Sequence, residues 1–229
     1  MIQFHHISKN YSHHIHALAD INFKVEKGEF VFLTGPSGAG KTTLLRMIYA
    51  QEKPTSGQIL VNNRNITKIG ENKIPHLRRL MGIVFQDFKL LYNKTAYENV
   101  AFALQVLGKR EEEIKKTASR ALYRVGLFEK RDLYPHQFSG GQQQRIALAR
   151  ALVNDPLIIL ADEPTGNLDR EAEEEVLKLL LEANESGATV VMATHKKELA
   201  KRFNKRMIHI DKGRIVETEA GEGDTLNDH

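Results

Sequence analysis

A glycine-rich stretch, GPSGAGKT, contains the residue types that bind a polyphosphate. Gly35, Gly40, Lys41 and Thr42 fit the spacing Gly-x-x-x-x-Gly-Lys-Thr. Glycines let backbone N–H groups wrap phosphate oxygens, lysine neutralises the β- and γ-phosphates, and the threonine hydroxyl binds Mg²⁺. An apolar run precedes the stretch and a helical pattern follows it, so we expect a strand, a phosphate loop and a helix. The alternative is a plain glycine turn before a helix.

Two acidic residues follow another apolar run. The stretch LIILADE predicts a strand with Asp162 at its carboxyl end, where open α/β sheets bind ligands. We predict that Asp162 holds Mg²⁺ through water and that Glu163 orients or deprotonates the water that attacks the γ-phosphate. Two acids at a strand end also occur as a simple helix cap.

Two further polar residues end predicted strands. Gln86 follows MGIVF and His195 follows VVMAT. We predict that Gln86 reaches Mg²⁺ or the attacking water, and that His195 contacts the γ-phosphate and holds Glu163 in place. The alternative is that both are ordinary polar residues at strand ends.

A second anion-binding element is predicted in FSGGQQQRIALARAL. Ser139 is a good N-cap, and Ser139, Gly140 and Gly141 leave backbone N–H groups unpaired at the start of an amphipathic helix. Such an end attracts an anion. The residues alone leave the identity of that anion open.

The elements that position these residues follow an α/β order. The N-terminal part alternates as antiparallel strands, residues 87–155 are charged and helical, and strand patterns return at PLIILADEPT and ATVVMATH with a helix between them. RMIHIDKGRIVET predicts a final hairpin that turns at Lys212 and Gly213. We expect one domain over residues 1–217, a helical insert at about 87–155, and a flexible tail at 218–229.

Composition limits the function classes. The chain has 229 residues, no cysteine and a net charge of +4, so disulfides and thiolate metal sites are excluded and the nucleic-acid signal is weak. Apolar runs such as residues 30–33 and 157–161 are far shorter than the roughly 20 residues that span a bilayer. We therefore expect any membrane role to pass through a partner. Histidines 5, 6, 13, 14 and 16 are interpreted as exposed strand or turn residues rather than metal ligands.

Taken together, the motifs resemble those of the ATP-binding cassette (ABC) ATPases. The resemblance implies an α/β fold: a P-loop NTPase (RecA-like) core, an N-terminal antiparallel β subdomain and an inserted α-helical subdomain. It also implies a head-to-tail homodimer around two ATP molecules with Mg²⁺, in which the Ser-Gly-Gly helix end faces the γ-phosphate held by the other subunit. The ATP-binding residues implied in cis are Tyr11 (stacked on adenine), Gly35, Pro36, Ser37, Gly38, Ala39, Gly40, Lys41, Thr42 and Thr43. Those implied in trans are Ser139, Gly140, Gly141, Gln142 and Asp169, with Asp169 coupling the two sites. The metal residues implied are Thr42, Gln86 and, through water, Asp162; the catalytic residues are Glu163, His195 and Gln86.

Within the family, several stretches look like the FtsE branch, whose members act in cell division with the membrane protein FtsX. This resemblance implies an FtsX-like integral membrane partner, an inner-membrane location on the cytoplasmic side, and ATP-driven motion that regulates cell-wall hydrolysis. We expect the partner to dock on the segment from Asp87 to Tyr97 (residues 87–97), where Phe88, Leu90, Leu91 and Tyr92 form an apolar cluster; the same side chains could instead pack the insert. Lipoprotein-release and macrolide-export ATPases share many of these motifs and are the alternative.

Overall fold

Two compact units make up the fold in a computed structural model of the chain. The structure describes residues 1–12 and 15–219. Among the described residues, one unit is Met1–Arg78 together with residues 189–219, and the other is residues 79–188. His13 and His14 lie outside the described residues, as does most of the predicted tail.

The elements match the predicted order of strands and helices. The strands are β1 (Ile2–Ser12), β2 (Ile15–Val25), β3 (Phe30–Thr34), β4 (Ser56–Val61), β5 (Arg64–Asn65), β6 (Met81–Val84), β7 (Ile158–Asp162), β8 (Thr189–Thr194), β9 (Arg206–Asp211) and β10 (Arg214–Glu219). The helices are α1 (Lys41–Ile48), α2 (Ile74–Arg78), α3 (Ala96–Val106), α4 (Glu111–Arg124), α5 (Gly140–Leu152), α6 (Arg170–Glu185) and α7 (Lys197–Arg202). Short 3₁₀ turns lie at Glu71–Lys73, Phe128–Lys130 and Pro135–Gln137.

The first unit contains two sheets. In the order β2-β1-β4-β5, every neighbouring pair is antiparallel, which confirms the predicted N-terminal strands. In the second sheet β3 lies between β8 and β9 and is parallel to both, and β10 closes the edge as the predicted hairpin with β9. Every residue of β3 and β8 is buried, as expected for strands covered on both faces.

This parallel pairing brings two predicted site residues to one edge. Thr34, the last residue of β3, is the register partner of Thr194, the last residue of β8. Gly35 and His195 therefore both follow directly after paired strand ends, at the edge where parallel α/β sheets bind ligands.

The second unit joins a parallel strand pair to helices. β6 and β7 pair with Val84 opposite Ala161, so Gln86 and Asp162 also lie near one strand edge. The helices α3, α4 and α5 occupy the predicted helical interval, and the described residues between Val84 and Ile158 contain no strand. α5 packs on α3, α4, α6 and β6, and Ile146, Ala147, Leu148 and Ala149 are buried.

Two predicted boundaries differ from the structure. β10 continues to Glu219, two residues beyond the predicted domain end, because the hairpin pairing extends to Met207. The predicted insert at 87–155 also belongs to a larger unit that includes β6, β7 and α6. Among the described residues, none of the helices combines the length and apolar character that crossing a membrane requires.

Candidate functional site

The glycine-rich loop has a shape that side chains would disrupt at both ends. Gly35 has φ 147°, and a Cβ there would lie 2.1 Å from the carbonyl oxygen of Ile210. Gly40 has φ 109°, and its Cβ would lie 2.6 Å from Leu18 Cδ2. Both positions therefore require glycine.

Lys41 is held inside this loop. Its Nζ donates hydrogen bonds to the carbonyl oxygens of Gly35 at 2.7 Å and Pro36 at 3.1 Å, and the side chain is 6% exposed. α1 begins at Lys41, directly after the loop, and its N-cap, Gly40, supplies no side-chain cap. An ammonium group beside the start of a helix suits a polyphosphate.

A groove with a volume of about 300 Å³ adjoins the loop. Tyr11 lines it with its side chain 49% exposed, and the Tyr11 hydroxyl lies 3.4 Å from Thr43 Oγ1. The other lining residues are His16, Ala17, Gly38, Gly40, Lys41, Thr42 and Thr43. The structure thus brings Tyr11 to the phosphate loop, whereas its stacking on adenine stays a prediction.

Sequence reasoning missed His16 and Ala17 as groove residues. His16 is exposed, as predicted, but it also pairs in register with Asn10, next to Tyr11, and its Nδ1 lies 2.7 Å from Asn10 Oδ1. The β1–β2 pairing shifts register four times, so the alternation of the sequence does not predict which side chains flank the loop.

The predicted acidic pair lies at the end of β7. Asp162 is the last strand residue, and Glu163 follows with φ 46°, a left-handed conformation that is uncommon outside glycine. The N–H of Gly166 donates to the Glu163 carbonyl at 3.1 Å and closes a tight turn. A Cβ built on Gly166 would lie 3.6 Å from Gln86 Nε2 and 3.7 Å from Glu163 Cβ. Gln86 and Glu163 therefore border the same turn.

The remaining catalytic and metal residues are divided between the units. His195 is exposed after β8 in the first unit, where Thr42 also lies, whereas Gln86 and Asp162 belong to the second. Hydroxyl, amide and carboxylate oxygens are suitable for Mg²⁺, which prefers hard oxygen ligands. The metal set stays a prediction.

The predicted N-cap of α5 is confirmed. Ser139 Oγ accepts a hydrogen bond from the Gln142 N–H at 3.3 Å, and Gln142 Oε1 accepts one from the Ser139 N–H at 3.2 Å. Asp169 caps α6 in the same way, accepting from the Ala172 N–H at 2.8 Å. The starts of both helices line one groove that includes Ser139, Gly140, Gly141, Gln142 and Asp169. All five residues predicted to act in trans therefore lie together, with the Gln142 oxygen already used by the cap.

The predicted apolar cluster between Asp87 and Tyr97 is only partly exposed. Leu90 is buried, Phe88 and Leu91 are half-buried, and Tyr92 is 58% exposed. Asn99 fixes the segment through hydrogen bonds with the N–H and the carbonyl of Leu91, at 2.8 and 3.1 Å. Leu90 therefore packs inside the unit rather than facing a partner. Of the four apolar residues of the cluster, Tyr92 is the most exposed.

One titratable group lies behind the phosphate loop. His209 Nδ1 is 3.0 Å from the hydroxyl of Thr34, the residue before Gly35. Burial, followed by the charge of Lys197, lowers the pKa of His209, and Glu217 and Asp211 oppose the shift. The folded unit therefore favours the neutral imidazole.

Comparison with known proteins identifies the family. The family model described as ABC transporter matches residues 18–166, which include the phosphate loop, the α5 cap and the β7 acids. The chain belongs to the ABC transporter family. The predicted resemblance and fold class, a P-loop NTPase cassette, are thereby confirmed.

Relatives of this ABC cassette include curated FtsE proteins. The cell division ATP-binding protein FtsE of Bacillus subtilis (strain 168) is 50% identical over 220 residues, 96% of each chain. FtsE of Escherichia coli (strain K12) is 45% identical over 215 residues, covering 94% of this chain and 97% of that protein. The predicted similarity to the FtsE branch is confirmed.

Solved structures of ABC cassettes are also similar. A dimeric post-hydrolysis state of the ATP-binding cassette MJ0796, bound to ADP and Pi, matches with a TM-score of 0.90 and 38% identity, covering 98% of this chain and 100% of that one. A second dimeric structure of MJ0796, a bacterial ABC transporter cassette, matches with a TM-score of 0.89 and 39% identity, with the same coverage of both chains.

Proposed function

We propose that this ATP hydrolase of the ABC type is the nucleotide-binding subunit of an FtsEX-like membrane complex that regulates cell division. The chain is 50% and 45% identical to two proteins named FtsE, over 96% and 94% of its length. The observation that carries the proposal is structural. One chain has two glycine-containing helix starts of different construction: a lysine-containing loop before α1 in one unit and a capped, lysine-free start of α5 in the other.

The phosphate loop of one copy and the start of α5 of a second copy would together bind one ATP in a homodimer. Lys41 and the loop N–H groups grip the β- and γ-phosphates of ATP, and Tyr11 stacks on the adenine. The helix end at Ser139 supplies only partial positive charge, so it contributes most to a phosphate already held by the loop of a second copy. The dimeric MJ0796 cassettes support this arrangement.

Hydrolysis then depends on positioned groups of the chain. Glu163 orients or deprotonates the attacking water, Gln86 helps to place it, and His195 contacts the γ-phosphate. Mg²⁺ bound by Thr42, Gln86 and Asp162 would neutralise charge that develops on the phosphate oxygens. The left-handed backbone at Glu163 sets the direction in which its Cα–Cβ bond leaves the chain.

ATP binding closes the dimer and hydrolysis reopens it. The motion reaches an FtsX-like membrane protein through the segment from Asp87 to Tyr97, where Tyr92 is the exposed apolar contact. The partner passes the motion to cell-wall hydrolases outside the membrane and holds the ATPase on the cytoplasmic face of the plasma membrane.

The membrane partner provides the test. A tagged Glu163→Gln chain, produced in its own host and held closed with ATP, should co-purify with an FtsX-type membrane protein. Tyr92→Ala in the same background should reduce the yield about tenfold or more while ATP binding is unchanged. Recovery of a lipoprotein-release or macrolide-export permease instead would contradict the FtsE-type assignment.

A further inference from the structure

Gln144, in the middle of α5, has a buried amide that packing alone does not explain. Its side chain is fully buried, and Nε2 donates a hydrogen bond to the Pro164 carbonyl at 2.7 Å. Its Oε1 is buried without a hydrogen-bond partner among the described residues. An unpaired buried acceptor is destabilising, and a methionine of similar size would avoid it. The amide therefore serves the bond to Pro164.

That bond holds the peptide between Pro164 and Thr165, one residue after Glu163. Glu163 has φ 46°, and the bond from the Gly166 N–H to the Glu163 carbonyl closes the turn from within. A non-glycine residue in this region is strained and persists only where neighbouring groups hold it. Gln144 supplies such a restraint from α5.

Arg150, near the end of α5, holds a second strained loop. Its Nη1 donates to the Lys89 carbonyl at 2.6 Å and its Nη2 donates to the Phe88 carbonyl at 2.8 Å. Phe88 and Lys89 are consecutive left-handed residues, with φ 60° and 48°. Burial lowers the pKa of the Arg150 guanidinium, and no carboxylate of the described residues pairs with it. The two loop carbonyls are thus the groups that offset its charge.

The two restraints belong to one rigid element. Residues 144 and 150 lie six positions apart in the continuous helix Gly140–Leu152, which corresponds to about 9 Å along the axis. One restraint acts next to Glu163 and the other acts two residues after Gln86. A shift of either loop therefore pulls on the same helix.

We propose that α5 is a lever that couples the Phe88–Lys89 loop to the turn carrying Glu163, with Gln144 and Arg150 as its positioning residues. The proposal deepens the proposed function and rests on it, because the Phe88–Lys89 loop lies in the segment assigned to the membrane partner. Docking of that partner would then alter hydrolysis by moving Pro164 relative to Glu163. Neither residue needs to touch ATP.

A fluorescence experiment tests the lever directly. The chain contains no tryptophan, so Tyr92→Trp, at an exposed position, gives a single emitter in the partner segment. In a Glu163→Gln background, ATP should change its emission. Gln144→Met and Arg150→Met should each reduce that change about tenfold while binding of radiolabelled ATP persists.

Matched controls separate coupling from general damage. Arg78 also donates to two carbonyls, those of Tyr49 and the left-handed Ala50, but in the other unit. Gln143 is the neighbouring glutamine on α5 and bonds to the Phe138 carbonyl. Arg78→Met and Gln143→Met should keep the full ATP-induced emission change.

Steady-state kinetics give a second readout. With Glu163 intact, Gln144→Met and the milder Arg150→Lys should lower kcat about tenfold and leave KM within about twofold, because positioning is lost but ATP contacts are not. An ATP-induced emission change that survives in both lever variants would overturn the proposal. A parent protein that binds ATP without any change in the tryptophan emission would overturn it as well. Radiolabelled ATP binding and partner co-purification are scored separately, so failure of the lever is distinct from failure of the proposed function.

Discussion

Replacing Ser139 with Asp separates two roles that one side chain has at the start of α5. Aspartate and asparagine are both good N-caps, so Ser139→Asp and Ser139→Asn should each retain the cap now made with the Gln142 N–H at 3.3 Å. The free energy of unfolding should therefore change by less than about 1 kcal/mol in both. Only the aspartate adds a negative charge at the end predicted to face a γ-phosphate.

The magnitude follows from Coulomb's law. Two unit charges about 5 Å apart at an effective dielectric constant of about 20 repel by about 3 kcal/mol, or roughly 150-fold in rate. We therefore expect Ser139→Asp to reduce kcat/KM for ATP by about two orders of magnitude relative to Ser139→Asn. ATP binding to the monomer, measured below the dimerisation concentration, should be unchanged. Equal ATPase activity of the Asp and Asn variants would refute the reasoning.

Mixing experiments test whether the contact is made in trans. A chain with Ser139→Asp keeps its phosphate loop, and a chain with Lys41→Ala keeps its α5 end. A mixed dimer therefore contains one complete composite site, and the inactive pair should regain activity on mixing. Failure to recover activity, although mixed dimers form, would place Ser139 against the nucleotide of its own chain.

Three further predictions concern the first unit. Gly35→Ala should abolish ATP binding because its Cβ would lie 2.1 Å from the Ile210 carbonyl, whereas Gly28→Ala, with no described atom within 4 Å, should bind ATP normally in an equilibrium assay. Tyr11→Ala should raise KM for ATP about tenfold with little change in kcat, and Tyr11→Phe should restore it, because the ring does the stacking. His209 has a lowered pKa when folded, so below about pH 6.5 the unfolded chain binds more protons and stability falls. In chemical denaturation, His209→Asn should lose less unfolding free energy than the parent protein between about pH 7 and 5.5. If the free energy of unfolding falls as steeply with pH in the variant as in the parent, other groups cause the loss of stability.

A feature of the structure could be predicted from the sequence where its positions tolerate few residue types. The phosphate loop was predictable because Gly35 and Gly40 occupy backbone regions that only glycine reaches easily, and the cap because Ser139 has one common use before a helix. The buried strands β3, β7 and β8 were predictable because apolar runs between glycine or proline signals have few alternatives.

The features that the sequence did not predict depend on contacts between residues far apart in the chain, and such contacts leave no pattern within one segment. His16 reaches the groove through bulged pairing, and the left-handed backbone of Glu163 arises where α5 and the Gly166 turn restrain it. The hydrogen bonds of Gln144 and Arg150 join residues 20 and more than 60 positions apart. No periodicity within one segment encodes such pairs, so the lever could not have been predicted.

The hydrogen bonds of Lys41 to its own loop have a consequence for nucleotide affinity. A free lysine side chain loses up to about 2 kcal/mol of conformational entropy when it is ordered. Here folding already orders it, since the Gly35 and Pro36 carbonyls hold the ammonium group. ATP must therefore compete with an internal ligand rather than immobilise a mobile chain. The contribution of Lys41 to ATP affinity is therefore the difference between its bonds to phosphate and the bonds to the loop that it gives up.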